Sequence, residues 1–457
     1  MSEPHNSLFA VGTQSLHGNP YYLRAVWQVA QHFPLHLREA IYTLDGKRLA
    51  EKGDKYNQSV HMALQQQHLR RPVEDALPMP DPVDVMTLEA EAMTLCESSL
   101  LPRMMMQAVG SAQHWRLLAP LSEMVWPYVA SFKLSVMRHT RHSLYVHSLT
   151  TMLVATFLGI CEELDDETLA LLAPAALLHD TGMLYVDPSW DDPQRSLSVE
   201  ERRQLTTHSV LAMQVVRESM RFPREVERAV LEHHERMDGS GYPRGLRGGE
   251  ISQLGQILMV AEVVAAFFEK YAHDMPVTRL SLMLRLNHHR YPRKLVEHVH
   301  KLLTFGPKVR PDDIQPIAGD VRRTLVMLSM LIDYWTQLRT QLPPRWQLQH
   351  SGRACMFLEM RIASLVSSLA EAGALPRQQM QMLHSLRNDP DGLIEQSMIN
   401  REALWQLEAC MHTCLRRWPK VLDRKDDAAL AVKQWIDRAQ MLMRTQSRYV
   451  ERPAFFA

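Results

Sequence analysis

Apolar residues recur at helical spacing over most of the chain. From Val85 to Met137 they return every three or four positions, with Pro102, Pro120 and Pro127 marking breaks or first turns, and helical patterning continues through Tyr271. Beyond the Pro-rich connector Phe305–Pro316, the segments Thr324–Leu342, Met356–Ala372 and Ala428–Met443 read as long amphipathic helices. One stretch breaks this rhythm. Ile41–Gly53 sets two short extended runs around Asp45-Gly46, a pair suited to a tight hairpin turn. Leu77–Asp84 carries three prolines in eight residues and reads as a linker. The pattern predicts a mainly α protein. It has a small N-terminal α/β module with a β-hairpin over residues 1–84, a helical connector over 85–137, a helical domain over 138–305 and an additional C-terminal helical domain over 306–457.

Composition narrows what such a chain can do. At 457 residues it exceeds one compact core, so several domains are expected. Lys+Arg and Asp+Glu are both 51, so no global field favours a nucleic-acid polymer or an anionic membrane, and an anionic substrate must be held by local charge or metal. Cys96, Cys161, Cys355, Cys410 and Cys414 are too scattered for a disulfide framework or a zinc motif; Cys410 and Cys414, one helical turn apart, read as packed thiols. Trp335, Trp346, Trp405, Trp418 and Trp435 are expected to fill the core of the C-terminal domain. The opening MSEPHNSLFAVGTQ lacks the basic-then-apolar pattern of a secretory signal. No stretch reads as long enough to span a bilayer, Ile257–Phe268 being about three turns and holding a carboxylate. A cytoplasmic location is expected.

The candidate chemistry is a set of histidines and carboxylates. His179-Asp180 ends the apolar run LALLAPAALLHD, where an imidazole and a carboxylate must both be satisfied with little water; a divalent ion would do so, and a helix C-terminus followed by a turn is the plainer alternative. His233–Ser252 reads HHERMDGSGYPRGLRGGEIS. Adjacent histidines close a helix there and can both bend toward one ion, and Gly239, Gly241 and Pro243 shape the turn after them. Glu262 lies inside ILMVAEVVAAFF, a buried carboxylate facing cations or an outward-facing residue on a poorly amphipathic helix. His142 opens one helix and His208 lies early in another, each an ordinary solvated histidine unless its place in the order counts.

Taken in order, these residues resemble the HD-GYP family of bacterial signalling phosphodiesterases, whose pattern is a helical His, then His-Asp, a third His, an adjacent pair in HHExxDGxGYPxGL and a distal acid. It maps onto His142, His179, Asp180, His208, His233, His234 and Glu262, with Asp238, Gly241, Tyr242 and Pro243 completing the GYP loop. The resemblance covers a little over a third of the chain. It implies an HD-type helical bundle holding two divalent metal ions, iron or manganese. Asp180 would bridge them as the catalytic carboxylate, His142, His179 and Glu262 holding one ion and His208, His233 and His234 the other. It also implies a water activated by the ion pair, cyclic di-GMP as substrate opened to pGpG or GMP, and signalling-protein partners at the GYP loop.

The sequence departs from the family at named places. Met183 stands where the family has a phosphate-contacting Lys, Glu262 replaces the usual Asp, and Arg138 stands where members with a third metal have Glu, so two metals at most are expected. Arg244, Arg247 and Lys270 are the candidates to replace the missing phosphate contacts. Two readings follow: an active cyclic di-GMP phosphodiesterase, or a catalytically degenerate domain acting as a metal or nucleotide sensor or a protein-docking module. The C-terminal helical domain carries no chemical motif; a homodimer contact or reception of a signal is its expected role.

Overall fold

The structure, a computed structural model, describes residues 16–444 apart from 66, 124, 192–194, 196, 220, 273–275, 308–317, 387–389 and 424. The opening stretch read for a secretory signal and most of the Phe305–Pro316 connector lie outside the described residues. The hairpin forms where Asp45-Gly46 allows it. Gly46 takes φ 87°, its N–H donates to Thr43 O, and strands Ile41–Tyr42 and Arg48–Ala50 pair antiparallel with Ile41 opposite Ala50. Helices Pro20–His32 and Gln58–Gln65 accompany it, burying Leu23, Val26, Val29 and Leu64.

Leu77–Asp84 is a strap rather than a free linker. It has neither helix nor strand, as its prolines require, yet Leu77, Met79 and Val83 are buried. Its backbone is pinned along helix Tyr128–Thr140: Met79 N–H donates to Tyr128 Oη and Val83 N–H to Ser135 Oγ, both at 2.8 Å.

The described residues divide into two compact units. The first draws on 1–195, 204–272 and 289–306, so the N-terminal module clusters with the helices that follow it. Its centre is helix His142–Cys161, packed against Leu172–Leu178 and Gln253–Lys270. This corrects one expectation from the sequence: the 20-residue helix His142–Cys161 is long and apolar enough to cross a membrane, but 83% of its most apolar window is buried inside the protein. It is surrounded by neighbours on every side, so it needs no polar face, and the Ser, Thr and His residues that dilute its apolar run hid its length from inspection.

A charged junction joins the N-terminal module to this bundle. Lys133 Nζ, almost fully buried, contacts Glu74 Oε1 at 2.5 Å and Tyr185 Oη at 2.6 Å; Tyr22 Oη donates to Glu74 Oε2 and Asn19 Nδ2 to Tyr185 O. Tyr185 ends the tight turn Thr181–Tyr185 that begins directly after Asp180.

The second unit comprises 196–203, 273–288 and 307–457. Helix Pro276–Leu286, although earlier in the chain, groups here with Ala318–Thr340, Gly352–Glu371, Pro390–Arg417 and Asp427–Arg444. Trp335, Trp346 and Trp435 lie in its core, Trp418 packs against it, and Trp405 is half-buried. Cys355, Cys410 and Cys414 are buried there as free thiols; burial pushes Cys355 up to about 12 and raises Cys414 further, so neither is a thiolate near neutral pH.

Candidate metal centre

Four chain segments deliver imidazoles to one buried carboxylate. Helix Leu172–Leu178 runs out at His179, and Asp180 begins the turn Thr181–Tyr185. His208 opens helix His208–Glu218, and His233 and His234 follow helix Arg224–Glu232. Asp180 Oδ1 lies 3.4 Å from His208 Nε2 and 3.7 Å from His233 Nε2, while Oδ2 lies 3.4 Å from His179 Nε2 and 4.0 Å from His147 Nε2. Each carboxylate oxygen thus faces a different pair of rings. Two donor groups result, Asp180 with His208, His233 and His234, and Asp180 with His147 and His179, the donor atoms of each lying within 4.8 Å of one another.

Local geometry aims these rings. His179, His208 and His233 each place Nδ1 at 2.6–2.7 Å from the carbonyl oxygen three residues earlier, on Ala176, Leu205 and Val230. A carbonyl only accepts, so Nδ1 carries the proton and the Nε2 lone pair turns toward Asp180. The lone pairs of His208 and His233 then crowd one another, with the His234 ring close by. His208 Nε2 is 3.3 Å from His233 Nε2 and 3.0 Å from His234 Nε2, and His179 Nε2 is buried without a hydrogen-bond partner. Converging acceptors of this kind, wrapped around an anionic carboxylate, form a donor set suited to first-row divalent ions.

The electrostatics agree. Burial holds His233 and His234 well below the usual imidazole range and lowers His208 too, so these rings are neutral near pH 7 and free to bind a cation. Burial opposes the charge on Asp180, but His179, His208 and His233 outweigh it and hold the carboxyl well below its usual value. His147 behaves differently: burial acts to lower it, while Glu269, Asp180 and Glu262 together raise it to about 9.

The residues singled out from the sequence do not all meet here. His179, Asp180, His208, His233 and His234 do. His142 does not: it is exposed in the first turn of its helix, 6.4 Å from the Tyr145 ring, and His147, five residues deeper, stands in the centre instead. The helix is buried around nearly its whole circumference from Leu144 to Gly159, so periodicity could not single out one face; depth along the axis decides. Counted from His147, the position four residues earlier is Ser143, which also lacks a carboxylate, while Arg138 pairs with Asp81 and Glu91. Glu262 is buried beside the centre but belongs to neither donor group; its Oε2 has no hydrogen-bond partner, and burial raises its carboxyl pKa against the pull of Arg236 and His147.

The GYP loop is built around two buried glutamates that the sequence reading passed over. Glu235 accepts the N–H groups of Arg244, Gly245 and Leu246, and Glu232 accepts from Ser252, Arg228 Nε and Arg244 Nη2. Gly241 is needed where it stands, since a Cβ there would come within 2.4 Å of Glu235 Cα. Tyr242 stacks on His234 at 4.6 Å, and the Tyr242–Pro243 peptide is cis. Asp238 accepts the Ser240 N–H and lies 3.5 Å from His289. Arg244, read from sequence as a phosphate contact, is committed to Glu232 at 2.5 Å. Arg247 is exposed with its backbone capped by Glu250, and Lys270 lies over the Tyr271 ring at 4.8 Å. Met183 is buried within the turn after Asp180.

Comparison with known proteins fits this geometry. The HD domain family matches residues 133–291. A 3′3′-cGAMP-specific phosphodiesterase of Vibrio cholerae is 33% identical over 120 residues, covering 26% of each chain. A cyclic di-GMP phosphodiesterase of Borreliella burgdorferi is 27% identical over 121 residues, 26% of this chain and 32% of that one. Another, from Pseudomonas aeruginosa, is 26% identical over 241 residues, 51% of this chain and 53% of that one. The chain therefore spans between a quarter and about half of the length of these relatives. Over residues 133–291 the chain thus carries an HD domain, and it is similar in sequence to cyclic-dinucleotide phosphodiesterases.

Proposed function

We propose that this chain is a metal-dependent phosphodiesterase that opens a cyclic dinucleotide, cyclic di-GMP first among candidates, to pGpG or GMP. The observation that carries this reading is Asp180, buried, whose two oxygens face separate groups of imidazoles, one of which, His179, leaves Nε2 without a hydrogen-bond partner. His147, His179 and Asp180 would hold one divalent ion, iron or manganese, and His208, His233, His234 and Asp180 the other, with Glu262 adjacent. Bound there, two such ions would supply a hydroxide nucleophile near neutral pH and neutralise charge developing on the phosphodiester.

The chain's own residues do the rest. Asp180 stays ionised and ties both groups together, which sets their spacing. The carbonyl-anchored histidines keep their lone pairs inward, so the donors are organised before any ion arrives. Glu232 and Glu235 fix the loop that carries Tyr242, and Tyr242 in turn fixes His234.

A second reading, a degenerate domain that binds metal or nucleotide as a sensor or docking module, is favoured by Met183 in the turn after Asp180 and by Arg244 being neutralised by Glu232. One experiment separates them. Full-length protein loaded with Mn²⁺ is incubated with cyclic di-GMP and with 3′3′-cGAMP, and products are resolved chromatographically. The enzyme reading expects a linear dinucleotide that vanishes in Asp180→Ala; intact substrate in the presence of bound metal leaves the sensor reading standing.

A further inference from the structure

His147 is anchored unlike the other rings of its centre. His179, His208 and His233 each lie at a helix terminus, where a carbonyl three residues back is free to accept from Nδ1. His147 lies inside the 20-residue helix His142–Cys161, where backbone carbonyls are already used by the helix, so its ring needs a partner from another element. That partner is Glu269, whose Oε2 is 3.1 Å and Oε1 3.3 Å from His147 Nδ1. Glu269 lies on helix Gln253–Lys270, seven residues and so two turns beyond Glu262.

We propose that Glu269 is the positioning residue of the His147–His179–Asp180 donor group, holding His147 with its Nε2 lone pair toward Asp180 and so setting that group's affinity for a divalent cation. This rests on the metal-centre reading above. A carboxylate can only accept, so Nδ1 of a neutral His147 is the protonated nitrogen and Nε2, 4.0 Å from Asp180 Oδ2, is the donor left for the ion. An anionic partner on the far nitrogen also makes the ring a stronger ligand than a carbonyl does. The two donor groups are therefore unequal by construction: one contains a carboxylate-backed imidazole, and in the other His208 and His233 are backed by carbonyls. Glu269 is part-exposed, with 39% of its side chain accessible, so its replacement leaves no large cavity.

The test is Mn²⁺ binding by the full chain, stripped of metal and titrated calorimetrically, with the exchange coupling of paired Mn²⁺ read by electron paramagnetic resonance. Wild type is expected to take up two ions with a coupled signal. Glu269→Ala should weaken one binding event about 10–100-fold and lose the coupled signal at limiting metal, the other event being unchanged. Glu269→Gln, which keeps an accepting oxygen without the charge, should fall between. The metal-free variants should melt with wild type. Two full-affinity ions in Glu269→Ala, or equal weakening of both events, overturns the proposal. A wild-type protein that binds no ions overturns the metal-centre reading itself, an outcome visible before any variant is made.

Discussion

Gly182 offers a sharp test of how the centre is assembled. It lies two residues after Asp180, in the turn Thr181–Tyr185, against the start of helix His208–Glu218. A Cβ at this position would fall 1.9 Å from His208 O, 2.7 Å from His208 C and 2.8 Å from Ala212 N. All three atoms are backbone, so no side chain can swing aside. Reaching even 3.0 Å from the oxygen requires the turn and the helix to part by about 1 Å (3.0 − 1.9). Overpacking of this kind costs about 1–3 kcal/mol, and a backbone obstacle belongs at the upper end. The movement also matters to the donors, since His208 Nε2 faces Asp180 Oδ1 across this seam at 3.4 Å. Metal–imidazole bonds hold within about 0.2 Å of their length, so a shift of about 1 Å separates His208 from an ion shared with Asp180. Gly182→Ala is therefore expected to lower unfolding stability by about 3 kcal/mol in urea and to abolish binding at the His208–His233–His234 group, measured by metal analysis after dialysis. Gly249→Ala, where an added Cβ meets nothing within 4 Å, is the control and should stay within about 0.5 kcal/mol of wild type. A Gly182→Ala protein with unchanged stability and full metal content would refute the reasoning.

His147→Ala should lose one of two Mn²⁺ ions and His142→Ala should retain both; metal analysis giving the reverse would restore the assignment first read from the sequence. Lys133→Met should destabilise the protein by about 3–5 kcal/mol, because it leaves the Glu74 carboxylate group buried without its cationic partner, and a denaturation midpoint equal to wild type would count against the junction. The same junction sets an alkaline limit. Burial acts against the Lys133 charge, but Glu74 and Tyr185 raise its pKa, while burial and then Glu74 raise that of Tyr22. Folded-state values above the unfolded ones mean the stabilisation is complete below about pH 10 and lost as pH climbs beyond it. Urea midpoints should therefore fall above pH 10 in wild type and less steeply in Lys133→Met, where the Tyr22 contribution alone remains.

Much of this arrangement can be read from the chain because it depends on local order. His179-Asp180 and His233-His234 each sit where a helix stops, apolar in the first case and amphipathic in the second, and a helix end exposes a carbonyl for Nδ1. The hairpin was legible for a similar reason, since Asp45-Gly46 carries its own turn geometry. What escaped is what only packing decides. His142 and His147 share a helix that is apolar all round, and its outer turn lies in solvent while the next is deep in the bundle. Glu262 was conspicuous in its apolar run, yet it stands outside both donor groups, whereas Glu269, an ordinary polar residue near a helix end, touches His147. Arg244 reads as a free cation until the fold brings Glu232, twelve residues earlier, against it. The strap Leu77–Asp84 looks like a linker because proline excludes regular structure, and proline says nothing of whether Tyr128 and Ser135 will hold it down.

The central claim is that Asp180 is shared between two cation-binding groups. Anomalous diffraction at the manganese edge from crystals of the Mn²⁺-loaded chain tests it most directly. The account predicts two peaks, one beside each Asp180 oxygen and about 3.5–4 Å apart, the first within bonding reach of His147 and His179 and the second of His208, His233 and His234. Density that leaves Asp180 without a metal neighbour, or that places an ion on His142 instead of His147, would contradict it.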